Sequence, residues 1–244
     1  PAHLPQTLSR YQNIRSAAFS DWSSDSKSIF VKTRFGHVDQ RHRVDMPGGA
    51  RYQLTFGEEP VGEVSRQPAG NLLALTRDKG GDEFDQIYLL KPEDGLIRLI
   101  SDGQALNNRL VWDRQGRKLA YRSTRRNGRS SDIWVQNVTS SAPPTMVLAT
   151  EVGTLLKPVD FSLEGKKLLI QQFVSVADSR VYVKDLPAGK LRLMAGDADN
   201  PSSIIATGFD RQGNHVLFVT NQREGAAELA KISLDEVPVA SFVP

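Results

Sequence analysis

The sequence repeats itself five times, and this repeat constrains the fold more than any other feature. Each copy has an apolar or aromatic strand end, a tight polar turn and a short apolar strand. In the third copy, residues 110–113 (LVWD) lead through Gln115-Gly116-Arg117 into residues 118–121 (KLAY). The equivalent turn positions are spaced by 44, 46, 49 and 48 residues, and they are Ser26, Gly70, Gly116, Gly165 and Gly213. Such a period fits four short strands and their turns, which make one blade of a β-propeller.

The turn between the first two strands has a simple cause. A polar residue followed by glycine lets the chain take a positive φ at no steric cost, as hairpin turns require. Four of the five copies have this glycine, whereas the first has Ser26. We therefore expect the same turn in copies two to five and a slightly different turn in the first.

Further strands complete each unit. Third strands are predicted in copies two to five at residues 86–90, 132–135, 180–183 and 229–232. Fourth strands are predicted in the first four copies at residues 51–55, 96–99, 146–148 and 191–194. These segments are short, rich in β-branched and aromatic residues, and bounded by Gly, Pro and Asp. No segment has the pattern of a convincing amphipathic helix.

The fold class predicted is therefore all-β: a β-propeller of five recognisable four-stranded blades. One domain spans residues 1–244, with blades at about 15–58, 59–105, 106–152, 153–200 and 201–244. The closing stretch Val237-Pro238-Val239-Ala240-Ser241-Phe242 can supply one outer strand at most. We expect an incomplete ring, in which the first face of blade one and the last face of blade five are unburied.

The composition excludes several functions. The net charge is only +3, which makes nucleic-acid binding a poor choice, so we interpret Trp22, Trp112 and Trp134 as packing between blades. The chain has no cysteine, which excludes disulfides and a cysteine nucleophile. No apolar run is long enough to span a membrane. The compartment stays open between bacterial cytoplasm and periplasm, with a slight preference for the periplasm.

No cofactor or metal is predicted. His37 and His42 flank Asp39, but a zinc site needs three or four converging ligands, so a solvated loop and strand are the favoured interpretation. The only Gly-x-Ser, Gly128-Arg129-Ser130, lacks the last glycine of a nucleophile elbow. It falls in a hairpin turn, and we find no catalytic residue.

Two charged turns are candidates for contact with a substrate. Asp82 and Glu83 lie with Asp78 and Asp85 around a Gly-Gly pair, where carboxylates that cap backbone N–H groups are the favoured interpretation. Arg125 and Arg126 lie in a basic stretch with Arg122 and Arg129, for which a solvated turn is the default interpretation. Arg126→Ala should therefore hardly change the free energy of unfolding. A substrate-facing role for Asp82, Glu83, Arg125 and Arg126 is the minority hypothesis.

The repeats resemble those of TolB and of the prolyl oligopeptidase family of serine peptidases. The segments that resemble the peptidases are residues 15–22 (RSAAFSDW), 33–36 (TRFG), 47–55 (PGGARYQLT), 78–88 (DKGGDEFDQIY) and 123–128 (STRRNG). The resemblance implies a propeller that restricts entry of peptide substrates to an α/β-hydrolase domain, which would carry the Ser, Asp and His of the triad. That domain is absent from these 244 residues.

Three functions remain open at this point. The first is the non-catalytic propeller domain of such a peptidase, with peptide substrates and a hydrolase domain or partner chain as its partners. The second is a free-standing TolB-like module that binds a protein. The third is an enzyme with its active site in the channel, for which we find no cluster of histidines or carboxylates from several blades.

Overall fold

The computed structural model describes residues 4–12, 15–223, 226–235 and 241–242. It opens with one helix, α1 (Leu4–Gln12), which the sequence reasoning did not predict. Leu4, Leu8 and Tyr11 recur at helical spacing, so an amphipathic signal was present but only nine residues long. All three side chains are at least 43% exposed.

The rest of the described chain forms five antiparallel sheets of four strands each, which confirms the predicted fold class. Consecutive strands are neighbours in every sheet. Blade one contains β1 (Ala17–Trp22), β2 (Ile29–Thr33), β3 (Gln40–Val44) and β4 (Arg51–Gln53). Blade two contains β5 (Val64–Arg66), β6 (Leu73–Arg77), β7 (Gln86–Lys91) and β8 (Leu96–Leu99). Blade three contains β9 (Asn107–Trp112), β10 (Lys118–Ser123), β11 (Asp132–Asn137) and β12 (Thr145–Leu148). Blade four contains β13 (Leu155–Phe161), β14 (Lys167–Ser175), β15 (Asp178–Asp185) and β16 (Leu191–Ala195). Blade five contains β17 (Ile204–Phe209), β18 (His215–Thr220), β19 (Glu228–Ser233) and β20 (Ser241–Phe242).

Two strands extend or qualify the prediction. The sequence reasoning placed no third strand in blade one, because β3 is polar (QRHRV). Its Gln40, Arg41 and His42 are nevertheless buried, and Arg41 donates to Ser20 Oγ and to the carbonyl oxygens of the segment that leads into blade two. In the closing stretch, β20 is one short outer strand as expected, whereas residues 237–240 lie outside the described residues.

The turn between the first two strands is built the same way in every blade. One side chain at its start accepts a hydrogen bond from the backbone N–H that begins the second strand, which closes the turn at a fixed length. The five acceptors recur with the sequence period, and they are Ser23, Gln67, Asp113, Ser162 and Asp210. The polar residue before each turn is therefore a structural part of the repeat.

The prediction for these turns was wrong in two positions. Ser26 takes φ = 58°, and its N–H bonds to Ser23 O, so the first blade has the same left-handed turn as Gly116, Gly165 and Gly213. Gly70 is the exception: its φ is not positive, and a Cβ there would collide with Gln67 Oε1. Blade two uses a longer acceptor, Gln67, and glycine at position 70 leaves room for that amide.

The first strand of each blade is the inner strand, and these strands pack against one another in the order β1, β5, β9, β13, β17. Within the described residues, no comparable packing joins β17 back to β1, so the five blades form an open arc around the axis. Apolar clusters fill the spaces between neighbouring blades. The central blades are buried on both sides, as shown by the continuous core run Leu168-Leu169-Ile170.

An aromatic residue at the end of the inner strand packs against the preceding blade in three of the five copies. Trp112, Phe161 and Phe209 fill this position in blades three, four and five, and each is buried. Trp22 has the same position in blade one, but no blade precedes it in the described chain, and it is 51% exposed. Its predicted role in packing between blades is wrong. Trp134, a half-buried residue, packs against the cluster between blades two and three.

Candidate functional site

The blade topology places the four predicted contact residues on one side of the propeller. Because consecutive strands are antiparallel, all loops that join second to third strands lie on the same rim, which we call the lower rim. Asp82 and Glu83 lie in such a loop between β6 and β7, and Arg125 and Arg126 lie in the equivalent loop of blade three. The structure thus brings them to one rim of neighbouring blades, while each side chain has its own local role.

The acidic loop is a capped turn. Asp82 Oδ1 accepts a hydrogen bond from Phe84 N at 2.9 Å, and Asp78 Oδ2 accepts one from Glu83 N at 3.3 Å. These bonds agree with the predicted capping of backbone N–H groups. Glu83 has a left-handed φ of 63°, and the residue is exposed. Of the two acidic candidates, Glu83 has the side chain more available to a ligand.

The basic loop is exposed at residues 126–129, as expected of a solvated turn, but both of its candidate arginines have partners within the protein. Arg126 Nε lies 2.7 Å from the fully buried carboxylate of Asp132, and its Nη2 donates to Thr150 O at 2.8 Å. The guanidinium of Arg125 stacks over Trp134, 4.8 Å from the ring centroid, and lies 3.7 Å from Asp102. Arg126 therefore ties this loop to its own blade, and Arg125 ties it to its own blade and to blade two.

A second group of charges lies on the inner strands, nearer the axis. Its centre is Glu63, just before β5, whose Oε2 accepts from Arg109 N at 2.7 Å and whose Oε1 accepts from Leu110 N at 2.8 Å. This carboxylate joins blade two to blade three through backbone groups alone. Burial raises the pKa of Glu63, and the two backbone hydrogen bonds partly offset that rise.

Three cations lie on β9 or on two strands packed against it, and we name Arg109, Arg122 and Lys157 the axial cation cluster. Arg109 lies on β9, Arg122 on β10 and Lys157 on β13, so the cluster spans blades three and four. Burial lowers the pKa of Arg122 and of Lys157, and the nearby charge of Arg109 lowers both further. Within the described residues, no carboxylate lies within ion-pair distance of any of the three.

The sequence reasoning missed this cluster. Only Arg122 was noted, as part of the basic stretch, because the members are 13 and 35 residues apart in the chain. A signal was nevertheless available, since Arg109 directly precedes the apolar end of β9 (NNRLVW) and Lys157 interrupts the mainly apolar β13 (LLKPVDF). Charges at that position face either the axis or a neighbouring blade.

Of the histidine and serine candidates, His42 and Ser130 are buried, whereas His37 is exposed. His42 is buried beneath Phe35, with ring centroids 5.1 Å apart, so the expected solvated environment was wrong for this histidine. Burial lowers the pKa of His42. Ser130 is also buried, and its Oγ accepts from Asn127 Nδ2 at 3.0 Å within the turn. Among the residues that the structure describes, no group of three or more potential ligands could hold a metal ion.

Comparisons with known proteins give matches at the level of structure only. No family model matches the sequence, and no curated relative matches it either. Prolyl oligopeptidase B from Galerina marginata, bound to a 35-residue hydrolysis and macrocyclization substrate, aligns with a TM-score of 0.70 at 13% identity. The chain thus shares the β-propeller fold with the matching part of this peptidase. The alignment covers 94% of this chain and 36% of that peptidase chain.

Two further solved structures share the fold. Oligogalacturonate lyase from Vibrio parahaemolyticus aligns with a TM-score of 0.73 at 11% identity, over 94% of this chain and 66% of the lyase. TolB from Acinetobacter baumannii aligns with a TM-score of 0.59 at 11% identity, over 93% of this chain and 52% of TolB. The chain thus spans between about a third and two thirds of the lengths of these neighbours. The predicted resemblance to TolB-like and prolyl oligopeptidase propellers is confirmed for the fold.

In the described part of the chain, no helix is both long and apolar enough to cross a bilayer.

Proposed function

We propose that this chain is the non-catalytic propeller domain of a prolyl oligopeptidase-like serine peptidase, which docks peptides and restricts their access to an α/β-hydrolase domain. The observation that carries the proposal is the alignment with the peptidase, which takes in nearly all of this chain and about a third of the other. The remaining two thirds of that protein leave ample length for a catalytic domain.

Charged groups of both signs on blades two to four support a docking role. Peptides carry charges at both termini, and polar groups in a largely preformed site fix the orientation of a ligand. The axial cation cluster and the acidic loop on blade two supply both signs of charge on neighbouring blades. Within the acidic loop, Glu83 is an exposed acidic side chain.

A free-standing TolB-like module is the second candidate. The alignment with TolB and the exposed aromatic pair Phe19 and Trp22, with ring centroids 6.1 Å apart, favour it. Such a module would bind a protein partner and would need no catalytic domain. The two candidates therefore differ in what the gene encodes beyond these residues.

The test compares two proteins. The purified 244-residue chain should not hydrolyse chromogenic prolyl peptides, and a longer product of the same gene that includes the downstream region should do so. A fluorophosphonate that reacts with active-site serines should abolish that hydrolysis. Activity in the 244 residues alone would contradict the assignment to a non-catalytic domain. A gene product without any hydrolase domain would favour the TolB-like module instead.

A further inference from the structure

Within the described residues, no carboxylate forms a direct ion pair with any member of the axial cation cluster. Lys157 and the side chain of Arg109 have no ion-pair or hydrogen-bond partner within the described residues, and Arg122 has Asn108 Oδ1 at 2.8 Å. Glu63 is the nearby anion, but its two oxygens already accept backbone N–H groups. A folded chain gathers three like charges at a cost, which a bound anion would offset.

The backbone holds the cluster in place. Arg109 has φ = 61°, a conformation that non-glycine residues seldom adopt and that functional sites often contain. Glu63 fixes this conformation by accepting the Arg109 N–H from the neighbouring blade. Arg122 lies opposite Asn108 in the β9–β10 register and bonds to its amide. Arg109 and Arg122 are therefore positioned by inter-blade and cross-strand contacts.

The charges on blade two limit which anion fits. Burial raises the pKa of Asp85, the negative charges of Asp78, Glu63 and Asp82 raise it further, and a hydrogen bond from Thr76 opposes the rise. We name these four carboxylates the acidic group of blade two. This acidic group adjoins the cation cluster through Glu63. It would repel a long polyanion that ran along the axis, whereas a molecule with one carboxylate and one distant amine would match both charges.

We propose that the axial cation cluster binds the C-terminal carboxylate of a peptide, with the acidic group on blade two toward the rest of the peptide. This proposal rests on the proposed peptide-docking function and names the subsite that performs it. Arg122 and Lys157 are half-buried, so their attraction for a carboxylate is stronger than that of solvated side chains. Arg109, the exposed member, is the group that a carboxylate would meet first.

The experiment measures peptide binding to the whole 244-residue chain by titration calorimetry at low salt. The probes are an alanine-rich tetrapeptide with a free C-terminus and the same peptide as its C-terminal amide. We expect the free acid to bind about tenfold more tightly than the amide, and Lys157→Gln and Arg122→Gln each to weaken binding of the acid about tenfold. Lys190→Gln, at an exposed turn of blade four, is the matched control and should leave binding unchanged.

The outcomes separate this subsite from the broader function. Equal binding of acid and amide, unaffected by the cluster variants, would overturn the subsite and leave peptide docking intact. Failure of both peptides to bind would overturn docking as well. Tighter binding of oligogalacturonate than of either peptide would also overturn the proposal, because a polyanion would then be the ligand. Denaturation curves of each variant establish that a loss of binding does not come from unfolding.

Discussion

At the scale of single residues, the charged turns show that a side chain with solvent access can still be structural. Arg126 is about a third exposed, yet it faces a carboxylate, Asp132, that is fully buried. Asp132 also accepts from Thr150 N at 2.8 Å, so it joins the ends of β11 and β12. A buried acceptor of this kind is costly to remove because its donors are left without partners.

We therefore expect Asp132→Ala to lower the free energy of unfolding by about 1–3 kcal/mol, since Thr150 N–H and Arg126 lose their acceptor. Arg126→Ala should destabilise in the same direction, contrary to the expectation from sequence. Arg129→Ala, in the same turn, should stay within about 0.5 kcal/mol of the wild type. Urea denaturation followed by fluorescence checks all three. Equal midpoints for Asp132→Ala and Arg129→Ala would contradict this role of Asp132.

The two tryptophans at equivalent positions give a second residue-scale prediction. Trp112 is buried, and its Nε1 donates to Ser65 O of the preceding blade at 3.1 Å, so Trp112→Ala should cost about 3–5 kcal/mol. Trp22 has no such neighbour and is half exposed, so Trp22→Ala should cost less than half as much. Chemical denaturation of the pair is the measurement, and similar losses would refute the assigned burial.

At the scale of strands and blades, carboxylates join successive inner strands. Asp21 accepts from Arg66 N, Glu63 from Leu110 N, and Asp160 from Phe209 N. Each bond crosses from one blade to the next, which fixes the register between blades as well as their distance. Burial raises the pKa of Asp160 as it does that of Glu63, with the backbone bonds opposing the rise.

The raised pKa of Glu63 predicts a pH dependence of stability. The Glu63 carboxyl holds its proton more tightly in the folded chain than in the unfolded chain. Its contribution to the free energy of unfolding is therefore complete below its ordinary pKa of 4.5 and is lost as pH rises through the folded pKa. The free energy of unfolding of the wild type, minus that of Glu63→Gln, should therefore fall between about pH 4 and neutrality. Denaturation of both proteins across this range is the test. A difference that rises with pH would show that the folded pKa is lowered instead.

The repeat made most of these elements predictable, because turn residues and alternating strands are local signals. The inner and second strands of all five blades follow from the period. β3 could not be predicted from its polar sequence, since partners from blade two satisfy its buried Arg41. The axial cation cluster could not be predicted from the sequence either, because its three members are 13 and 35 residues apart in the chain and lie on three different strands. The roles of Arg125 and Arg126 depended on Trp134, Asp132 and other distant partners.

At the scale of the whole molecule, the arc has two unlike ends. Blade one exposes Phe19 and Trp22 on the side away from blade two. Blade five exposes Ile205 and Leu229, which lie on either side of Val219 in the strand register. Both ends have apolar sheet faces of the kind that the other blades bury against a neighbour.

We expect the purified chain to self-associate through these faces in a concentration-dependent manner. Combining Trp22→Lys with Ile205→Lys should raise the dissociation constant at least about tenfold, because each change places a charge in an apolar contact. Leu96→Lys, on the exposed outer strand β8, is the control for added charge and should have little effect. Sedimentation velocity over a range of concentrations is the measurement. A strictly monomeric wild type would contradict the expectation.

The linear succession of inner strands also implies a graded cooperativity. In an open stack each unit has at most two neighbours, so the end units detach at a lower cost than the middle ones, as they do in solenoid repeats. Native-state hydrogen exchange should then be slowest for amides in β10 and β14 and faster in β2 and β18, although all four strands are second strands of their blades. A partner that covered both ends should slow exchange in β2 and β18 toward the rates of β10 and β14.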